Sequence, residues 1–112
     1  MTSPLEARLL RERNAALAQL AALGRDHDAM VAASESSNAD DEHDPEGATI
    51  GFERAQLAAT SDLIRARVAD LDRALAQVAG GEYGRCESCR GEIGAERLAA
   101  RPSARTCITC AR

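Results

Sequence analysis

One hundred and twelve residues make one ordinary domain, or a small domain with an extension. Hydrophobic residues are 45% of the chain, but 24 of them are alanine, and the aromatics are one Phe, one Tyr and no Trp. Too few bulky side chains remain for a core wide enough to hold a concave catalytic pocket, which argues against an enzyme. All 14 basic residues are arginine against 18 acids, a net charge of −4, and that bulk charge does not support a nucleic-acid binder. Alanine, leucine, arginine and glutamate favour helix, so the composition predicts an all-α, thin and elongated chain. No apolar run is long enough to cross a membrane, and the polar, arginine-bearing start carries no apolar signal core. The expected location is the cytoplasm.

The first predicted element is a helix over Pro4–Ser34. Ser3 is a good N-cap, Pro4 suits the first helical position and Glu6 completes a capping box. Leu9, Ala16, Leu23 and Met30 recur every seven residues, flanked by Leu10, Leu17, Gly24 and Val31, with Leu20 between them. This is one apolar stripe. His27 falls in register with it and reads as a polar residue of the seam. A loop is expected over about residues 35–48, carrying Asp40, Asp41, Glu42, Asp44 and Glu46. From Asp26 to Glu53 there are nine acids and no arginine.

The second predicted helix runs over Thr49–Ala79, with Asp44-Pro45-Glu46 as a candidate start. Ile50, Leu57, Ile64, Leu71 and Val78 are spaced by seven, and Ser61, Val68 and Leu75 interleave. That is an a/d seam sustained for several heptads. Gly80-Gly81 ends it. Two helices of equal length, each ~45 Å long, joined by one short loop fit an antiparallel coiled-coil hairpin over residues 1–79. A helix dimer between chains competes with that geometry.

Residues 80–112 change character. They hold all four cysteines, as Cys86-x2-Cys89 and Cys107-x2-Cys110 with seventeen residues between the pairs. Each pair makes a knuckle that aims two sulfurs at one point, and two knuckles supply the tetrahedral set that a structural Zn²⁺ accepts. Four thiolates leave no open position for water, so the metal is structural. Tyr83, Ile93, Leu98 and Ile108 are nearly all the apolar content nearby, so the module needs its metal to fold. Tyr83 is expected to pack against the helix base and the finger. Disulfides and a redox Cys-x-x-Cys are the competing readings; cytosolic context and the lack of a strand–helix setting count against them.

The run Gly84-Arg85-Cys86-Glu87-Ser88-Cys89-Arg90-Gly91-Glu92-Ile93-Gly94, with Arg97-Leu98-Ala99-Ala100-Arg101-Pro102 and Cys107-Ile108-Thr109-Cys110, resembles the DksA/TraR zinc-finger family of bacteria. The order hairpin, acidic tip, four-cysteine finger resembles that family over most of the chain. The resemblance implies a transcription regulator that binds RNA polymerase rather than DNA, as a monomer. It implies that the acidic coiled-coil tip (Asp40, Asp41, Glu42, Asp44 and Glu46) enters the secondary channel and modulates initiation. The family's tip reads Asp-x-x-Asp-x-Ala; here either Asp41-x-x-Asp44 supplies the acids with Glu46 at the Ala position, or Asp44 is the first acid, with Gly47 at the second Asp and Thr49 at the Ala. Arg90 follows Cys89 directly, with the knuckle glycine displaced to Gly91. Some members act with ppGpp, and longer ones carry a further C-terminal helix. This chain ends two residues after Cys110, which leaves ppGpp dependence doubtful. Arg90, Arg97 and Arg101 are the candidate partner contacts of the finger. Two other readings stay open: a DNA-binding zinc finger, and a stress sensor in which zinc loss melts the finger.

Overall fold

A computed structural model of the chain describes residues 2–37 and 45–111. The expected tip acids Asp40, Asp41, Glu42 and Asp44 lie outside the described residues. Among the described residues three helices form: α1 (Pro4–Ser37), α2 (Pro45–Gly80) and α3 (Ala95–Ala100). Among the described residues there is no strand, and an isolated antiparallel bridge joins Arg85 to Glu92. Among the described residues no helix is long and apolar enough to cross a membrane. The all-α expectation holds.

The helix ends follow local chemistry. Glu6 N donates to Ser3 Oγ at 3.1 Å, so the Ser3 side chain satisfies an amide that the first turn leaves without a partner, and Ala7 N donates to Ser3 O at 2.9 Å as the first helical bond. α1 continues three residues beyond Ser34, and α2 starts at Pro45 rather than Thr49. Both helices therefore extend into the span expected to be loop, and Glu46 lies within α2. Proline at the first helical position, where an amide would be unpaired anyway, sets that start. At the other end Glu82 N donates to Gln77 O at 2.9 Å and Gly81 N to Val78 O at 3.3 Å. Gly81 has φ 75°. This is a Schellman cap, with glycine in the left-handed position that closes the helix.

The chain forms two compact units, residues 1–15 with 66–112, and residues 16–65. In the second unit α1 and α2 run antiparallel. One hollow is lined by Leu23, Gly24 and His27 against Leu57, Ser61 and Arg65; another is lined by Asp26 and Met30 against Glu53 and Leu57. Later residues of α1 thus meet earlier residues of α2. Among the described residues of this unit Ala16 and Ile64 are buried, while Leu17, Leu20, Leu23, Met30, Ile50, Leu57 and Ser61 are half-buried. His27 lines the seam with Nδ1 3.8 Å from Asp28 Oδ1, as a polar seam residue.

In the first unit Leu9, Leu71 and Ala74 form the core, with Leu5, Leu75, Val78 and Tyr83 packed against them. Glu12 accepts from Arg67 Nη2 at 2.8 Å, and Arg13 pairs with Asp72. The a/d seam read from the sequence is thus the buried face. Leu10 departs from expectation: it is 40% exposed. It stands one position beyond Leu9, a rotation of about 100°, enough to carry it off the seam.

Candidate metal centre

The first knuckle is a tight hairpin set just after the α2 cap. Ile93 N donates to Gly84 O and Cys86 N to Gly91 O, both at 2.8 Å, and Arg90 N donates to Cys86 O at 3.0 Å. The turn needs a left-handed residue immediately after Cys89, and Arg90 takes that conformation at φ 67°. For a residue with a Cβ the left-handed region costs roughly 1–2 kcal/mol; glycine enters it freely. The second knuckle closes through Cys107 O, which accepts from Cys110 N at 3.1 Å and Ala111 N at 2.9 Å. Between the knuckles lies α3, which the sequence reading did not anticipate. Leu98 N donates to Gly94 O at 3.1 Å in its first turn, and Pro102 stands just beyond its end.

These turns bring all four Sγ atoms of Cys86, Cys89, Cys107 and Cys110 within 4.8 Å of one another. Cys89 Sγ lies 3.9 Å from Cys107 Sγ. A tetrahedron of sulfurs around Zn²⁺ at ~2.3 Å has S···S edges of about 3.8 Å. The cluster fits one zinc ion, and all four cysteines are free thiols. Cys86 is buried, Cys107 and Cys110 half-buried, Cys89 exposed. Cys89 N approaches Cys86 Sγ at 3.5 Å. The amide of Cys89 and then that of Cys107 favour the Cys86 thiolate and hold its pKa near about 6. The amide of Cys110 likewise lowers that of Cys107. Cys110 goes the other way, pushed up to about 12, first by the sulfur of Cys107. Four sulfurs this close cannot all carry charge without a cation between them, and a divalent ion removes that conflict. This is the site of one structural zinc.

The finger's own core is small: Cys86, Ile93 and Ala104, with Leu98, Cys107 and Cys110 packed on it. Ile108, expected to contribute, is 78% exposed, because it sits between the two cysteines of its knuckle while their sulfurs turn inward. The finger does not hang free from Gly80-Gly81. Tyr83 packs on the Leu9–Leu71 core, as expected, and donates from its hydroxyl to Pro102 O at 2.7 Å. Burial raises the Tyr83 pKa, which keeps the phenol a neutral donor. Arg8 Nη1 donates to Ala99 O at 2.7 Å, and Arg73 Nη2 to Ser103 O at 3.1 Å.

A charge cluster completes the junction. Asp70 Oδ1 lies 3.4 Å from Arg73 and 3.5 Å from Arg105; Glu87 Oε2 lies 3.1 Å from Arg105 and 4.0 Å from Arg73. Desolvation, and then the charge of Arg105, lower the Arg73 pKa, while the two carboxylates compensate. Nothing in the sequence, where interleaved charges read as ordinary surface, brings these four residues together.

The candidate arginines separate. Arg97 is half-buried, and its Nε donates to Thr106 O at 2.7 Å. Arg90 and Arg101 are exposed. Arg97, Arg101 and Arg105 line one open groove of about 470 Å³ with Asp70, Ser103 and Thr106; Arg90 is not part of it.

The knuckles fit a known pattern: the prokaryotic DksA/TraR C4-type zinc finger matches residues 81–112. Residues 81–112 carry the zinc finger of that family. Relatives named RNA polymerase-binding transcription factor DksA, from Escherichia coli K12 and Salmonella typhimurium, are 43% identical over 49 residues. That match covers 44% of this chain and 32% of theirs, so it spans about a third of the length of these relatives. The transcription factor DksA2 of Pseudomonas aeruginosa shares the fold, with a TM-score of 0.53 and 24% identity over 93% of this chain and 80% of that one. The family model thus lies on the finger, and the likeness to DksA2 is one of fold over nearly the whole chain.

Proposed function

We propose that the protein is a transcription regulator that binds RNA polymerase and acts by contact rather than catalysis. One observation carries the reading: a DksA/TraR zinc finger, the module of a family whose relatives are named for polymerase binding, is held by Asp70 and Arg8 to the adjoining ends of α2 and α1. In this reading residues 80–112 form the base and residues 1–79 the hairpin. The acids Asp40, Asp41, Glu42, Asp44 and Glu46 are carried to the secondary channel, beside metal ions and basic side chains, where negative charge is attracted. Arg90, Arg97 and Arg101 contribute contacts from the finger, Arg97 partly through the backbone it braces. The protein works in the cytoplasm as a monomer. Its excess of acid over base disfavours duplex DNA as the ligand.

The test compares ligands. Zinc-loaded protein is expected to bind purified RNA polymerase from the same bacterium without DNA, and to leave duplex DNA unshifted at low salt. A salt-dependent shift of DNA with no polymerase binding would favour a DNA-binding finger instead.

A further inference from the structure

Two of the finger's arginines are engaged inside the fold: Arg97 with Thr106 O, and Arg105 with Asp70 and Glu87. Arg85 and Arg90 are not. Both are exposed, and among the described residues neither side chain has a hydrogen bond or an ion pair. Arg85 opens the first knuckle, in its bridge to Glu92, and Arg90 closes the turn. The pair borders the same two hollows, one of about 230 Å³ with Gly81, Tyr83 and Glu92 and one of about 90 Å³ with Gln77, Cys86 and Glu87. Arg90 also holds the left-handed conformation that glycine would hold without strain. The fold gains nothing from its side chain and bears a cost for its backbone. Strain of this kind concentrates where a side chain serves a partner.

We infer that Arg85 and Arg90 form a docking pair for carboxylates on an acidic protein surface. This rests on the polymerase reading and names a part of the finger that grips. Glu82, Glu87 and Glu92 border the same hollows. They would repel a continuous phosphate backbone, yet leave room for single Asp or Glu side chains, which a guanidinium fork pairs in bidentate fashion.

The experiment measures binding of zinc-loaded full chains to purified RNA polymerase, with the thermal melt of each variant alongside. Arg90→Gly is expected to bind about tenfold more weakly, the value of one charge-assisted hydrogen bond, while its finger melts about as high as wild type or a few degrees higher. Arg90→Lys keeps the charge without the planar fork and falls between the two in affinity. Arg85→Gln/Arg90→Gly is weaker than either single change. Wild-type affinity in Arg90→Gly overturns the inference and leaves the polymerase reading standing. No binding by the wild-type protein overturns the polymerase reading itself. Binding to duplex DNA that disappears in the double variant would assign the pair to phosphates and overturn it too.

Discussion

Chelating the zinc will unfold residues 81–112. The finger has three buried core residues, Cys86, Ile93 and Ala104, and one of them is a ligand. Apolar burial on that scale cannot offset the conformational entropy of ordering a module of this size. Metal binding in small zinc fingers supplies roughly 10–16 kcal/mol at neutral pH, and here it also relieves four crowded sulfurs. The loss should be local. Amides such as Cys86 N, Arg90 N and Ile93 N, which are bonded within the knuckle, should exchange freely after EDTA, as should Glu87 N, which is bonded to Arg105 O. Amides of α2 around Leu71 should stay protected, because Leu9, Leu71 and Ala74 pack without the metal. Hydrogen exchange on metal-loaded and chelated protein checks this. Protection of the knuckle that survives full zinc removal would contradict it.

Leu71→Ala should be the most damaging single change in the helical pair. Leu71 is fully buried against Leu9, on the seam that joins α1 to α2. Truncation of such a residue costs roughly 2–5 kcal/mol, by lost transfer energy and by the cavity left behind. The thermal midpoint of the helical signal should fall by roughly 10 °C or more. Leu63→Ala is the matched control: it removes the same atoms from a side chain that is 74% exposed and should change the midpoint little. Circular dichroism melts of the two variants decide the point. Equal melts would mean that the seam does not run through Leu71.

Much of this architecture could be read from residue order. The seven-residue spacing of Ile50, Leu57, Ile64 and Leu71 identified the face that is buried, because a strict a/d repeat leaves one stripe to hide. Ser3, Pro45 and Gly81 set the helix ends by local hydrogen bonding and backbone preference, which need no tertiary information. The two Cys-x-x-Cys pairs determined the metal because ligand count and knuckle geometry are themselves local. What escaped depends on distance in sequence. Asp70 and Arg105 are 35 residues apart, and nothing in either neighbourhood announces the pair. Arg97 read as a candidate partner contact, and nothing near it in sequence announces the backbone carbonyl of Thr106 that engages its Nε. α3 was hidden by its length: six residues between Gly94 and Arg101 give no periodicity to detect. The strain at Arg90 was visible only as a displaced glycine, and its meaning required the torsion angle.

The most direct test of the account follows transcription by purified RNA polymerase from a ribosomal promoter, with zinc-loaded wild-type protein and an Asp41→Asn/Asp44→Asn variant, each also measured for binding. Both proteins are expected to bind polymerase and only the wild type to change initiation, because the finger docks and the tip acids act. An unchanged effect from the neutralised tip, or no binding by the wild type, would contradict it.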